Sequence, residues 1–295
     1  MTNFPHLAQR LFNTPVAIHP HKAEVVMAAL ADRLGISHMF RGGELLALSP
    51  MAMEDDEIGG SFSRPGRSER DPGFDLVEGM AIIPVTGTLV QKLGTLRPYS
   101  GMTGYDGIRT ALLAALEDPG VKAIALDIDS PGGEVAGCFD LVDMIYRMRG
   151  EKPLHAILDE SAYSAAYAIA SACDRITVPR TGGTGSVGVI GMHVDMSAAL
   201  GKGGITVTMI RYGEHKAEGN EFEPLTEGAH ARMQADIDTM GELFIETVAR
   251  NRNLKASVVR GTKAETFLGA AGVTIGFADA VRAPDAAMGE LYRSL

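Results

Sequence analysis

Residues 79–90, "GMAIIPVTGTLV", and residues 121–133, "VKAIALDIDSPGG", are the two runs on which the fold turns. Each is apolar, rich in β-branched side chains and ended by turn residues, the pattern of a buried strand. Between them, "GYDGIRTALLAALEDPG" (104–120) repeats its apolar residues at helical spacing and closes on Pro-Gly, so the three segments read β-α-β. Toward the C-terminus, "CFDLVDMIYRMRG" (138–150) reads as a helix, "PLHAILD" (153–159) as a strand, "DESAYSAAYAIASACD" (159–174) as a helix and "RITVP" (175–179) as a strand. Strands alternating with helices predict α/β layers around a mainly parallel, buried sheet.

Toward the N-terminus the character changes. "KAEVVMAALADRL" (22–34) has helical spacing and stops at Gly35, which predicts a small helical preface. Residues 49–73, "SPMAMEDDEIGGSFSRPGRSERDPG", combine Gly, Pro, Ser and mixed charge with little to bury, and read as a linker. The expected division is an N-terminal helical segment (1–48), a flexible linker (49–73), a catalytic domain (74–285) and a C-terminal tail (286–295). No internal repeat is visible.

Composition bounds the function. With 295 residues, 45% hydrophobic and 22% charged, the chain can bury one large core or two small ones. A formal net charge of -10 argues against unspecific binding to nucleic acid, which needs clustered Lys and Arg. The two cysteines, Cys138 and Cys173, have no CxxC or Cys/His partner spacing, so neither a disulfide framework nor a metal site is expected. The first twenty residues lack a basic segment followed by an apolar core, and no stretch approaches the roughly 20 apolar residues that span a bilayer. The expectation is a chain neither exported by a standard signal nor anchored in a membrane.

Three places carry possible chemistry. In "DSPGGEVAG" (129–137), Pro131, Gly132 and Gly133 follow an apolar strand and let backbone N–H groups point outward to hold an oxyanion; an ordinary strand-to-helix turn has the same composition. In "TGGTGSVGVIG" (181–191), five glycines allow close approach of a ligand or another strand, but the Lys-Ser/Thr ending of a phosphate loop is missing and nucleotide binding is rejected. In "RYGEHKAEGNEFEPLT" (211–226), after the strand-like "ITVTMIR" (205–211), Lys216 reads as a solvated charge unless it folds beside a serine in an apolar cleft. Desolvation there lowers an ammonium pKa and frees an amine to accept a proton. Residues alone do not choose among Ser161, Ser164 and Ser171, all of which also suit a helix that bonds its hydroxyls back to the preceding turn.

The order "DSPGG", Ser-small-small-Tyr, "TGSVGV" and a loop lysine resembles the signal peptide peptidase A family of serine peptidases, and "LRPYSGMTGYDGI" and "HKAEGN" resemble its phage-borne capsid assembly branch. That resemblance runs from the N-terminal segment to about Val281. It implies a ClpP/crotonase-like fold of stacked β-β-α units, with Ser164 as nucleophile, Lys216 as general base, Ser186 orienting the lysine and Gly133 in the oxyanion hole. Ser161 and Ser171 then revert to helix serines. Ala165 and Ala166 stand where the family commonly has Gly-Gly, which narrows the pocket beside the nucleophile. The implied enzyme is a Ser-Lys serine endopeptidase of phage head maturation that needs no cofactor and cleaves scaffold, portal or itself. It would assemble as a ring-shaped homo-oligomer in the host cytoplasm or inside the procapsid. The phage relatives continue into a scaffold-like C-terminal extension, whereas the pattern here ends shortly before Leu295.

Rival readings are a Ser–His–Asp arrangement using His193 and Asp195, with His193 expected in an apolar strand, a crotonase-type acyl-CoA enzyme, a soluble signal peptide peptidase-like enzyme, and a non-catalytic capsid assembly protein. Downstream, "AHARMQADIDTMGELFIETVARNRNL" (229–254) sets Met233, Ile237, Met240, Phe244 and Val248 on one helical face, expected to be core or subunit interface.

Overall fold

The computed structural model describes residues 15–19, 39–41, 44–46 and 71–295. Its centre is a mixed sheet whose parallel strands are β5 (Met80–Val90), β7 (Ala123–Glu134), β8 (Leu154–Tyr163) and β9 (Arg175–Val178), in that lateral order. Helix α1 (Tyr105–Glu117) connects β5 to β7 by way of the short strand β6 (Met102–Gly104), and α2 (Cys138–Arg147) connects β7 to β8. The β-α-β reading therefore holds, and the run β5–β6–α1 is a β-β-α unit. Antiparallel β4 (Asp75–Val77) flanks β5.

Alternation along β7 sorts the two faces. Ile124, Leu126 and Ile128 point into the main core with α1 and α2, while Ala123 and Ala125 face the other way. Those small residues admit a further helix, α8 (Pro284–Arg293), which buries Ala287 and Leu291 against Met80 and Ile157. The last residues are thus not a tail: an apolar stripe and Pro284 in the first turn make them a packed helix.

Several expectations are corrected at element level. Residues 159–174 are not one helix, because β8 continues through Tyr163 and only Ala165–Ser171 (α3) is helical. The strand wins there because Ala162 and Tyr163 pair with β10 (Gly183–Gly185), and Ser130 of β7 with Ala162, which a helix would leave unpaired. Ser161 is accordingly a strand residue that accepts the Gly183 amide at 3.2 Å, whereas Ser171 is the expected helix serine, donating to Ala168 O at 2.6 Å. The N-terminal region contributes strands, β1 (Val16–Ile18) on β7 and the hairpin of β2 (Met39–Arg41) with β3 (Glu44–Leu46). The helix expected over 22–34 and most of the linker lie outside the described residues. "ITVTMIR" forms no strand and is largely exposed.

Past β10 come α4 (Ser197–Lys202), the long α5 (Glu227–Arg252), α6 (Ala256–Gly261), β11 (Thr266–Leu268), α7 (Ala270–Thr274) and β12 (Ala280–Val281). Phe244 and Val248 of α5 are fully buried and Met240 packs at the core's margin. Met233 and Ile237 instead line a cavity of about 510 Å³. No helix among the described residues is long and apolar enough to cross a membrane, and no cluster there could hold a metal ion.

Candidate active site

Ser164 stands at the junction of β8 and α3 with φ 54° and ψ -120°, angles that an L-residue adopts only under strain. Its amide donates to Gly185 O at 2.9 Å and its carbonyl accepts the Ala168 amide, so the turn is clamped from both sides. All seven residues of α3 are buried, which holds the helix rigidly against the core. The far end is clamped as well: Arg149 donates to the carbonyls of Ser171, Ala172 and Cys173, the last turn whose acceptors have no partner within the helix. A strained serine on a strand-to-helix turn is the arrangement that thrusts a nucleophile toward a substrate. The hydroxyl itself lies 3.4 Å from Gly188 O.

Opposite the serine is the "DSPGG" turn. Gly132 has φ 100°, and its amide is taken by Ser130 Oγ at 3.2 Å, whose own hydroxyl donates to Gly87 O at 2.7 Å. Ser130 thereby fixes the turn, a role that composition did not reveal because a serine before Pro-Gly-Gly reads as generic turn chemistry. A methyl group on Gly132 would stand 3.0 Å from Ser164 Cβ and 2.2 Å from Ala17 O. Ser164, the glycine turn and β1 therefore converge on one point. Gly133 follows in β7, paired with Leu89 on one side and Ala17 on the other.

Ser186 is buried with φ 55° and donates its amide to Glu265 O at 2.9 Å, directly after the residue that accepts the Ser164 amide. The structure thus brings Ser164, Gly132, Gly133 and the Ser186 backbone together. Lys216 is apart from them: it is exposed on the irregular loop 203–226, its amide bonded to Gly213 O at 3.2 Å, and it shares no hydrogen bond with Ser164 among the described residues. His193 lies in irregular chain rather than an apolar strand, since residues 191–196 bend away to α4, and its Nε2 meets Asn220 O at 3.1 Å. Asp195 accepts the Ser197 amide at 2.8 Å and shares no hydrogen bond with that ring among the described residues. Both cysteines are buried; burial pushes the Cys138 thiol up to about 12 and the Cys173 thiol upward as well, which removes thiolate chemistry near neutral pH.

A family model described as Peptidase family S49 matches residues 147–294, a span that includes Ser164, Ser186 and Lys216. The chain belongs to peptidase family S49. Among similar proteins, the head-tail preconnector protein GP5 of Enterobacteria phage P21 is 41% identical over 279 residues, covering 94% of this chain and 55% of that protein. The capsid assembly protease C of Escherichia phage lambda is 39% identical over 285 residues, covering 95% and 63%. The chain spans less than two thirds of the length of either. Solved structures that resemble it include an enoyl-CoA hydratase from Shewanella pealeana (TM-score 0.45, 11% identity, 75% of this chain and 72% of that one). ClpP1 from Listeria monocytogenes gives a TM-score of 0.42 at 12% identity, covering 68% and 90%.

Proposed function

We propose that the chain is a serine endopeptidase of phage head assembly in which Ser164 attacks the peptide carbonyl and Lys216 serves as base. The observation that carries the reading is the strained Ser164 elbow facing the Gly132–Gly133 turn, in a family S49 chain. The Gly133 N–H stabilises the tetrahedral oxyanion, and the amide of Ala165, next after the nucleophile, is the second donor such an elbow offers. Lys216 takes the serine proton and returns it to the leaving amine. Ser186 orients that lysine.

The base has to lose its water for this chemistry. The loop that carries Lys216 exposes Ile205, Ile210, Tyr212 and Phe222, with Ile210 97% and Tyr212 100% accessible. Apolar side chains this exposed favour burial against a further surface. In our reading a neighbouring copy in a ring covers the loop and seats Lys216 in a dry site. In the same reading the substrates are scaffold and portal proteins of an assembling phage head and the site of action is the host cytoplasm or the procapsid; what supports a role in head assembly is that the two phage relatives are named a head-tail preconnector protein and a capsid assembly protease.

The test is to incubate the wild type, Ser164→Ala and Lys216→Arg with candidate phage scaffold and portal proteins and to analyse the products by mass spectrometry. Defined fragments with wild type alone support the dyad, because arginine keeps the charge but does not accept a proton. Binding without turnover by the wild type would mean a non-catalytic assembly protein. Activity in Lys216→Arg that disappears in a folded His193→Ala would transfer the base to the histidine.

A further inference from the structure

We propose that Pro15–His19 occupies the substrate groove of its own chain and presents the Ala17–Ile18 peptide bond to Ser164, so that the chain is its own substrate. The inference rests on Ser164 being the nucleophile and adds the position, direction and side-chain preference of what it cuts.

Strand β1 does not extend the sheet at a free edge. It runs antiparallel to Gly132–Glu134, the turn that faces the nucleophile, and its other edge is bonded to Ile190. Val16 exchanges both backbone bonds with Ile190, at 2.9 and 3.0 Å. On the β7 side the His19 amide donates to Pro131 O at 2.8 Å and the Val135 amide to Pro15 O at 3.5 Å. Hydrogen-bonded pairs alternate along an antiparallel ladder, so between 15/135 and 19/131 the bonded pair is Ala17 with Gly133. The Gly133 N–H therefore points at the Ala17 carbonyl oxygen. That amide is the one assigned to the oxyanion hole, and the carbonyl it holds belongs to the bond that would be cut.

Nucleophile and carbonyl flank the same small gap, since a methyl on Gly132 would meet both Ala17 O and Ser164 Cβ. An extended peptide held by main-chain bonds on both edges, with one carbonyl at the oxyanion donor, is how a groove of this kind binds any sequence. Side chains supply the preference. Ala17 is 1% exposed and joins the main core with Ala162, Ala165 and Ala166, whereas Val16 and Ile18 turn to the opposite face and pack with Ile190. The pocket at the cleaved carbonyl is thus closed around a methyl group. Beyond the bond, the His19 ring lies 5.0 Å from Tyr163, the residue before the nucleophile. Upstream, Pro15 borders the 510 Å³ cavity lined by Val189, Met233 and Ile237. The substrate class is an extended segment with alanine at the cleaved carbonyl, β-branched residues on either side and apolar character upstream.

In the reaction, Ser164 Oγ bonds to the Ala17 carbonyl carbon and its proton passes to Lys216. The electron pair collects on Ala17 O opposite the Gly133 amide. The carbon–nitrogen bond to Ile18 then breaks as the proton moves to the Ile18 nitrogen, and water hydrolyses the Ala17 ester, freeing Ser164 and leaving an Ala17 carboxylate.

The experiment follows the intact mass of the full chain over time for wild type and Ser164→Ala, together with hydrolysis in trans of the synthetic peptide FNTPVAIHPHK, residues 12–22. Supporting results are loss of residues 1–17 from the wild type, a new N-terminus reading IHPHKAEVV, and no such cut in Ser164→Ala. The peptide is cut between Ala and Ile, and its Ala→Phe version about 100-fold more slowly. If a general protein substrate is cleaved in a Ser164-dependent way while the Ala17–Ile18 bond stays intact in both chain and peptide, or the chain is cut elsewhere, this proposal is wrong and the peptidase reading stands. If nothing is cleaved in a Ser164-dependent way, the peptidase reading itself fails.

Discussion

Two junctions of this chain turn from strand to helix through nearly the same backbone angles. Gly269, between β11 and α7, has φ 42° and ψ -111°; Ser164 has φ 54° and ψ -120°. Glycine adopts such angles cheaply, whereas a side chain there costs about 1–3 kcal/mol, so a serine kept at that position points to what its hydroxyl does. The strain is invisible in "DESAYSAAYAIASACD", where Ser161, Ser164 and Ser171 sit among equally small neighbours, and only the family resemblance singled out Ser164. The glycine turn was more legible, because Gly-Gly after an apolar strand already implies unusual backbone. Its position against the serine required the fold. Gly132→Ala tests that convergence: the added methyl would displace Ala17 O or Ser164, and φ 100° disfavours any side chain. We expect turnover to fall about 100-fold, since a displacement near 1 Å at the reacting atoms has that effect. Thermal melting should show a loss of about 1–3 kcal/mol in stability. Unchanged turnover would separate the turn from the chemistry.

At the scale of elements, the strands that read clearly are those with β-branched runs, β5 and β7, whose buried faces leave a continuous apolar pattern. The last turn of β8 did not, because "ESAY" has no strand signature of its own and is extended only by pairing with β7 and β10, 20 or more residues away in sequence. The C-terminal elements are tied back by Asp279, which accepts from the Ile176 amide at 2.7 Å and from Arg252 at 2.6 Å. Burial pushes the Asp279 carboxyl up, but the Arg252 guanidinium and the Ile176 amide outweigh it and hold it below the usual carboxylate range. A depressed folded value means the stabilisation is present above the unfolded value of about 3.9 and disappears as pH falls through the folded one. Asp279→Asn should therefore lower stability by roughly 1–2 kcal/mol at pH 7, a figure reduced for the part of the carboxylate still in solvent. The gap between denaturant melts of the two proteins should begin to narrow as pH falls below about 4 and keep shrinking at lower pH. A difference that stayed constant as pH fell through the acid range would assign the effect to packing instead.

For the whole molecule, the alternation of strand and helix patterns correctly described an α/β chain, since buried parallel strands and amphipathic helices are local patterns. What it did not reveal were the long-range placements. β1 joins a turn more than a hundred residues downstream through three residues too short to register as a strand, and Lys216 lies on an exposed, irregular loop. Tertiary pairing and an irregular loop leave no periodicity to read. One measurement bears most directly on the central claim that Ser164 is the nucleophile. A fluorophosphonate, whose phosphorus bonds to an activated serine oxygen as fluoride leaves, would be reacted with the wild-type protein and the modified residue identified by peptide mass spectrometry. The expected result is a single adduct on Ser164, absent after heat denaturation and absent in Lys216→Arg; an adduct on Ser186 or another serine, or peptide hydrolysis that continues undiminished in Ser164→Ala, would contradict it.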